Sequence, residues 1–204
     1  MKRIVKDPKD RKSEIIQVAR ELFLTKQFEK TTMQDVMDAL GIAKGTIYHY
    51  FDSKEKLLEA VVMDLVNSRV TSLKSALQKF DGNALEKLKK LIALSNMSKE
   101  HPQLLEHLHQ PIHAAMHIRI LAETLIKLAP IYEKIIIQGC EEKIFQTKSP
   151  RECAEFILAA VQFLTDTGVY PWTKEDLKRR AQAFPKLIEQ QLKAPPDAFQ
   201  FLQL

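Results

Sequence analysis

Residues 31–56, TTMQDVMDALGIAKGTIYHYFDSKEK, constrain this chain more than any other stretch. Thr32 suits an N-cap, its hydroxyl placed to accept from an N–H in the first helical turn. Asp35 stands where a carboxylate reaches back to the N–H of the cap residue. Val36, Met37 and Leu40 form a one-sided apolar stripe, and Gly41 sits where a helix closes through a left-handed residue. After Gly41-Ile42-Ala43 comes Lys44-Gly45-Thr46-Ile47-Tyr48-His49-Tyr50-Phe51, too short to fold alone and rich in groups that contact phosphates and bases. Helix, glycine-containing turn and second helix make a helix-turn-helix unit, whose second helix fits the DNA major groove.

The chain has 204 residues, enough for one domain or two small ones. A hydrophobic content of 45% supports a real core, and only 5 glycines argue against a turn-rich all-β fold. The net charge of +5 is concentrated at the start, where Lys2, Arg3, Lys6, Lys9, Arg11 and Lys12 face only Asp7 and Asp10. Such an arm is either a clamp on phosphates and the minor groove or a solvated tail. Cys140 and Cys153 make neither a disulfide framework nor a zinc spacing. No apolar run approaches the ~20 residues of a membrane span, and the N-terminus lacks the apolar core of a secretion signal. A cytoplasmic protein is expected.

Asp7-Pro8 reads as an N-cap followed by proline at the first helical position. The first helix runs to about Thr25, with Ile15, Ala19, Leu22 and Phe23 on the face that packs against the helix-turn-helix pair. Phe28 and Phe51 close that core. Asp52-Ser53-Lys54-Glu55 is a second capping box, opening a long helix with Leu58, Val61, Val62, Leu65, Val66, Val70, Leu73, Leu77 and Phe80 at helical spacing. Such a helix, about 25 residues and ~37 Å long, can leave the head and enter a second domain. Asp81-Gly82-Asn83 ends it.

Further helices are predicted over 84–96, 102–109, 112–128, 130–145, 150–167 and 173–192, with prolines as punctuation. Ser149 with Glu152 and Thr173 with Asp176 offer caps, and Pro185 should kink or split the last helix. The tail from Pro195 reads as extended, leaving Phe199, Phe201 and Leu202 to find a packing site. No strand alternation or internal repeat interrupts the pattern. The fold class is all-α: a helix-turn-helix head in residues 1–52, then a long helix leading into an α-helical ligand-binding and dimerisation domain in 53–204.

In the second helix of the motif, Lys44, Gly45, Thr46 and Tyr48 are the candidates for the groove. Lysine pairs with guanine O6 and N7, threonine reaches a base edge or thymine methyl, and glycine permits close backbone approach. Tyr48, His49, Lys54 and the Thr32 hydroxyl suit phosphate oxygens. Ile47 and Phe51 should face inward; Tyr50 could do either.

From Ile15 to Leu58 the chain resembles the DNA-binding head of the TetR family of bacterial transcriptional regulators. The carrying residues are Ala19-Arg20-Glu21-Leu22-Phe23, Phe28, Thr31-Thr32, Asp35-Val36, Leu40-Gly41-Ile42, the run Lys44 to Phe51, and Ser53-Lys54-Glu55. One departure is Ala43, where many relatives carry a serine that caps the recognition helix; a missing cap costs roughly 1 kcal/mol at most here. The roles given above to the recognition helix and Lys54 are similar to those at matching family positions.

One head makes few contacts, so a homodimer on palindromic double-stranded operator DNA is expected, its recognition helices about 34 Å apart or a multiple of that. The resemblance implies that the last two long helices form the dimer interface as a four-helix bundle. Phe156, Ile157, Ala160, Val161 and Leu164 on one, with Ala183, Leu187 and Ile188 on the other, fit that role or finish the monomer core.

The resemblance also implies a small-molecule effector pocket in the region 101–132, where five of the six histidines lie: His101, His107, His109, His113 and His117. His113 and His117, one helical turn apart, could ligate zinc or nickel, with Glu106 and Glu123 the nearby carboxylates. Polar histidines lining a pocket or an interface are the favoured reading, so no metal and no cofactor is expected. The candidate pocket residues are His109, His113, Met116, Ile120, Tyr132 and Phe163. Ile136 to Phe145 also resembles a family segment that often has a second glycine at the position of Lys143.

With no nucleophile–base pair and no paired carboxylates, an enzyme is not expected. The function implied is a homodimeric repressor released from its operator by a small-molecule effector. The alternatives are a regulator controlled by a protein partner, or a metal sensor using His113 and His117.

Overall fold

The computed structural model describes residues 7–94 and 102–202, so Lys2, Arg3, Lys6 and His101 lie outside the described residues. Among those described, the fold is all-α. The helices are α1 (Pro8–Lys26), α2 (Met33–Leu40), α3 (Lys44–Tyr50), α4 (Lys54–Gln78), α5 (Ala84–Leu94), α6 (Pro102–Leu108), α7 (Ala114–Glu141), α8 (Pro150–Leu164) and α9 (Lys174–Leu192). Short 3-10 turns cover Pro111–His113 and Gln200–Leu202.

The chain divides into two compact units, one within Met1–Ser68 and Ser98–Leu108, the other within Arg69–Met97 and His109–Leu204. The first takes in the early turns of α4 and the short α6, which the sequence reading gave to the second domain.

In the first unit Asp7 caps α1 by accepting from the Lys9 N–H, with Pro8 in the first turn. Ile15, Ala19 and Phe23 of α1 are buried with Phe28, Val36, Met37, Ile47 and Phe51. From α4, Leu57, Leu58, Val61, Val62 and Leu65 close this core. Phe23 meets Phe28 edge to face at 5.0 Å, an arrangement that suits the ring quadrupoles. His107 of α6 lies against Phe28, ring centroids 4.2 Å apart, and its Nδ1 is 2.6 Å from the Glu29 carboxylate.

In the second unit α7 and α8 pack along each other, flanked by α5 and α9. The prediction of two helices, 112–128 and 130–145, is corrected to one: α7 runs 28 residues with Pro130 inside it. An interior proline costs about 3 kcal/mol through its lost N–H and ring clash. The burial of Ile120, Leu121, Ala129, Ile131, Tyr132, Ile135 and Ile136 along one face outweighs that cost. Pro185 likewise sits inside an unbroken α9.

Ser149 makes no side-chain cap on α8, against expectation. Its N–H instead donates to Thr147 Oγ1 at 3.1 Å. The tail is not extended either: it turns back so that Phe199 is buried and stacks on Phe145 at 6.1 Å. A Cβ on Gly139 would collide with the Phe145 ring, so this glycine makes room for the tail's docking partner.

Candidate nucleic-acid interface

The local chemistry that shapes this surface begins with the α2 cap. Thr32 Oγ1 accepts from the Asp35 N–H at 3.1 Å, and the Thr32 N–H donates to Asp35 Oδ2 at 2.7 Å. Lys26 holds the other carboxylate oxygen at 2.7 Å. Led by Lys26 and followed by the Thr32 backbone and hydroxyl, these donors hold the Asp35 carboxyl far below the usual carboxylate range. The Thr32 hydroxyl also donates to Asp35 at 2.7 Å, so it serves the cap first.

Gly41 closes α2 at φ 61, ψ 37, the left-handed conformation that glycine adopts without penalty. The Ile42 N–H donates to Met37 O at 3.1 Å, which turns the chain tightly into α3. α3 has no side-chain cap at Ala43, as the missing serine implied.

α3 divides cleanly by face. Ile47 and the following Phe51 are buried in the head core. Lys44, Gly45, Tyr48 and His49 are exposed, while Thr46 and Tyr50 are half-buried. Lys44 Nζ lies 5.7 Å from the centre of the Tyr48 ring, and His49 packs edge-on against Tyr50 at 5.0 Å. Beside them a shallow groove of about 430 Å³ is lined by Thr32, Gln34, Met37, Lys44 and Tyr48 among others. Gln34 escaped the sequence reading; its one signal was a polar residue in the first turn of the helix preceding the recognition helix.

Gly45 is informative. A Cβ there would meet nothing of the chain within 4 Å, and its φ is not in the left-handed region. Glycine costs up to about 1 kcal/mol relative to alanine in a helix interior, and less at the second position that Gly45 holds in α3. Neither the backbone nor the packing of this chain asks for it, but close approach by a surface from outside would.

Lys54 does something different from what the sequence suggested. Its ammonium donates to the carbonyls of Phe28 at 2.7 Å and Thr31 at 2.8 Å, with Glu29 O at 3.4 Å. It also sits 4.1 Å over the Phe28 ring. Partial burial lowers its pKa, against the raising effect of Glu55, Glu29 and Asp35. Lys54 ties the loop between α1 and α2 to the start of α4, and its protons point at carbonyls rather than solvent.

The expected effector residues and interface residues fall in the second unit. Met116, Ile120 and Tyr132 are buried along α7 and His113 is buried in the 3-10 turn before it, while His109 and Phe163 are half-buried. None of the six lines an open cleft of about 330 Å³ in this unit, whose walls are Lys74, Leu77, Gln78, Lys87, Pro130, Ile131, Lys134, Ile135 and Gln138.

On α8 and α9, Phe156 (63% exposed), Leu187 (56%), Val161 and Leu164 stand open to solvent. With Ile157, Ala160, Phe184 and Ile188 they line an apolar hollow of about 530 Å³. Ala183 is exposed beside it, and Phe184 was not anticipated.

Residues 15–61 match the family model for bacterial regulatory proteins of the tetR family, and residues 94–187 match a tetracyclin repressor-like C-terminal domain. The HTH-type transcriptional repressor KstR2 of Mycolicibacterium smegmatis is 32% identical over 105 residues, 52% of this chain and 48% of that protein. The uncharacterized HTH-type transcriptional regulator YfiR of Bacillus subtilis is 35% identical over 83 residues, 40% of this chain and 37% of that one. The chain thus spans about half the length, or less, of these curated relatives. The fold resembles the crystal structure of a transcriptional regulator from Cytophaga hutchinsonii, with TM-score 0.62 and 24% identity, covering 92% of this chain and 98% of that one. It also resembles the fatty acid degradation regulator FadR from Bacillus halodurans, with TM-score 0.56 and 22% identity, over 94% of this chain and 98% of the other. With both halves matched in order, the chain belongs to the TetR family of bacterial regulatory proteins.

Proposed function

We propose that this protein is a non-enzymatic, sequence-specific DNA-binding regulator of transcription that represses as a homodimer and answers to a small molecule. The exposed face of α3 carries the reading. Lys44, Thr46 and Tyr48 offer donors of the right length for base edges and phosphates, and Gly45 thins the helix between them at a helical cost nothing inside the chain requires. His49 and the α2 N-terminus around Thr32 are placed for backbone phosphates.

The apolar α8–α9 face supports dimerisation. Phe156, Val161, Leu164 and Leu187 are large, exposed and contiguous with an apolar hollow, which a monomer in water has no reason to maintain. A second copy presenting the same face would bury it in an isologous contact. For the effector, the cleft between α4, α5 and α7 sets Leu77, Ile131 and Ile135 beside Lys74, Lys87 and Lys134. That lining suits a small apolar molecule with an anionic end. Such a ligand lowers operator affinity only by as much as it prefers the non-binding state of the dimer.

Gly45→Leu tests the central part. The Cβ of the new side chain meets nothing of the chain within 4 Å and the site is exposed, so the variant should fold and melt like the native protein. It should also fail to bind DNA selected by the native protein from a random pool. A variant that binds the selected DNA unchanged would show that α3 is not the reading element.

A further inference from the structure

Three residues distant in sequence converge in the second unit. His109 lies in the turn after α6, His117 in the first turn of α7, and Asp166 just past α8. One ligand atom from each can be chosen so that all lie within 4.8 Å of one another. His117 Nε2 is 3.1 Å from Asp166 Oδ2, and the His109 and His117 rings stack with centroids 5.0 Å apart.

The surroundings hold these groups in place. Asp166 Oδ1 accepts the N–H groups of Gly168 at 2.8 Å and Val169 at 2.9 Å, which leaves Oδ2 directed at His117. A Cβ on Gly168 would run into the His109 ring and come within 2.9 Å of His117 Cε1. Glycine at this position therefore lets the third group in. An ordinary histidine–aspartate pair explains the His117 contact but gives no reason to stack a second imidazole on it.

We propose that His109, His117 and Asp166 bind a divalent first-row transition ion through two imidazoles and one carboxylate. Imidazole donors favour zinc and its neighbours over calcium or magnesium, and three protein ligands leave a position for water or an added ligand. Anchoring of one carboxylate oxygen by backbone N–H groups is the outer-shell support such ligands need. The protonation states agree with the geometry. Burial lowers the His109 pKa, helped by His117 and opposed by Asp166, and so favours the neutral imidazole that ligates. Burial raises the Asp166 pKa, but His117 and the two backbone donors outweigh it, keeping the carboxylate charged. His113, paired with His117 in the sequence reading, is not part of this cluster.

The test uses the full chain, free of any affinity tag and stripped with a chelator. Zinc(II) is titrated in competition with a chromophoric chelator, and cobalt(II) is followed by its visible absorption. The expected result is one ion per chain and a raised melting temperature that tracks metal concentration. His109→Gln and Asp166→Asn should each weaken binding at least tenfold and abolish the melting shift, with circular dichroism confirming that both fold. His113→Gln should bind like the native protein. Failure of the native chain to retain an ion would overturn the proposal. So would native affinity in His109→Gln and Asp166→Asn, or a loss confined to His113→Gln.

Discussion

Replacing Lys54 by methionine should destabilise the head and leave the electrostatics of DNA binding almost untouched. Lys54 donates to Phe28 O at 2.7 Å and Thr31 O at 2.8 Å, with a longer approach to Glu29 O. Hydrogen bonds to a charged group contribute about 1.5–3 kcal/mol each when well desolvated, and they do not add. Lys54 is only partly buried and the freed carbonyls can take up water, so the net loss should be about 2 kcal/mol. Methionine keeps the aliphatic stem and a sulfur contact with the Phe28 ring, which isolates the ammonium as the variable. For a chain of this size the loss lowers the melting temperature by roughly 4–8 °C. Denaturation followed by circular dichroism gives the stability, and fluorescence anisotropy across a salt series gives the slope of log K against log salt. Unchanged stability with a slope shallower by about one would instead make Lys54 a phosphate contact, because that is the signature of a lost one.

Gln27 sits at φ 71, ψ 150, a region almost reserved for glycine, so Gln27→Gly should stabilise the protein by roughly 1 kcal/mol while Gln27→Ala gains nothing, as read from denaturant midpoints. Ala160→Glu should dissociate the proposed dimer by placing a charge inside the α8–α9 hollow; a dimer persisting in sedimentation would move the interface elsewhere. Asp35 is held below its ordinary pKa first by Lys26, and Asp176 first by the Thr173 hydroxyl; at Asp166 burial opposes the shift but is outweighed by His117. The folded state thus binds fewer protons than the unfolded chain. The stabilisation is present above the unfolded values near ~4 and fades as pH falls through the lower folded ones, which an acid titration followed by circular dichroism should display.

What the sequence revealed was mostly what neighbouring residues decide among themselves. The Thr32–Asp35 and Thr173–Asp176 boxes formed because both partners lie in one turn, and Gly41 closed α2 for an equally local reason. Ser149 failed by the same logic: its backbone, at φ −130 and ψ 65, leaves the extended conformation a cap needs. Features that depended on distant partners were not legible. Pro130 stays inside α7 because of what that helix buries, not because of its own turn. Lys54 reads in the sequence as a group suited to phosphate oxygens, and only the fold shows the carbonyls of Phe28 and Thr31 beneath it. Asp166 lies 3.1 Å from His117, and no periodicity connects them. The α8–α9 stripe was visible because an apolar face repeats at helical spacing whether it meets a core or a partner. Its exposure is what the sequence left open.

Operator recognition by α3 is measured by fluorescence anisotropy of the native protein against DNA from upstream of its own gene, with random DNA as control and salt varied. The expected result is selective binding that saturates at one or two dimers per fragment and persists at salt concentrations where the random DNA has dissociated. Equal affinity for DNA of every sequence at every salt concentration, including fragments chosen by selection from a random pool, would contradict it.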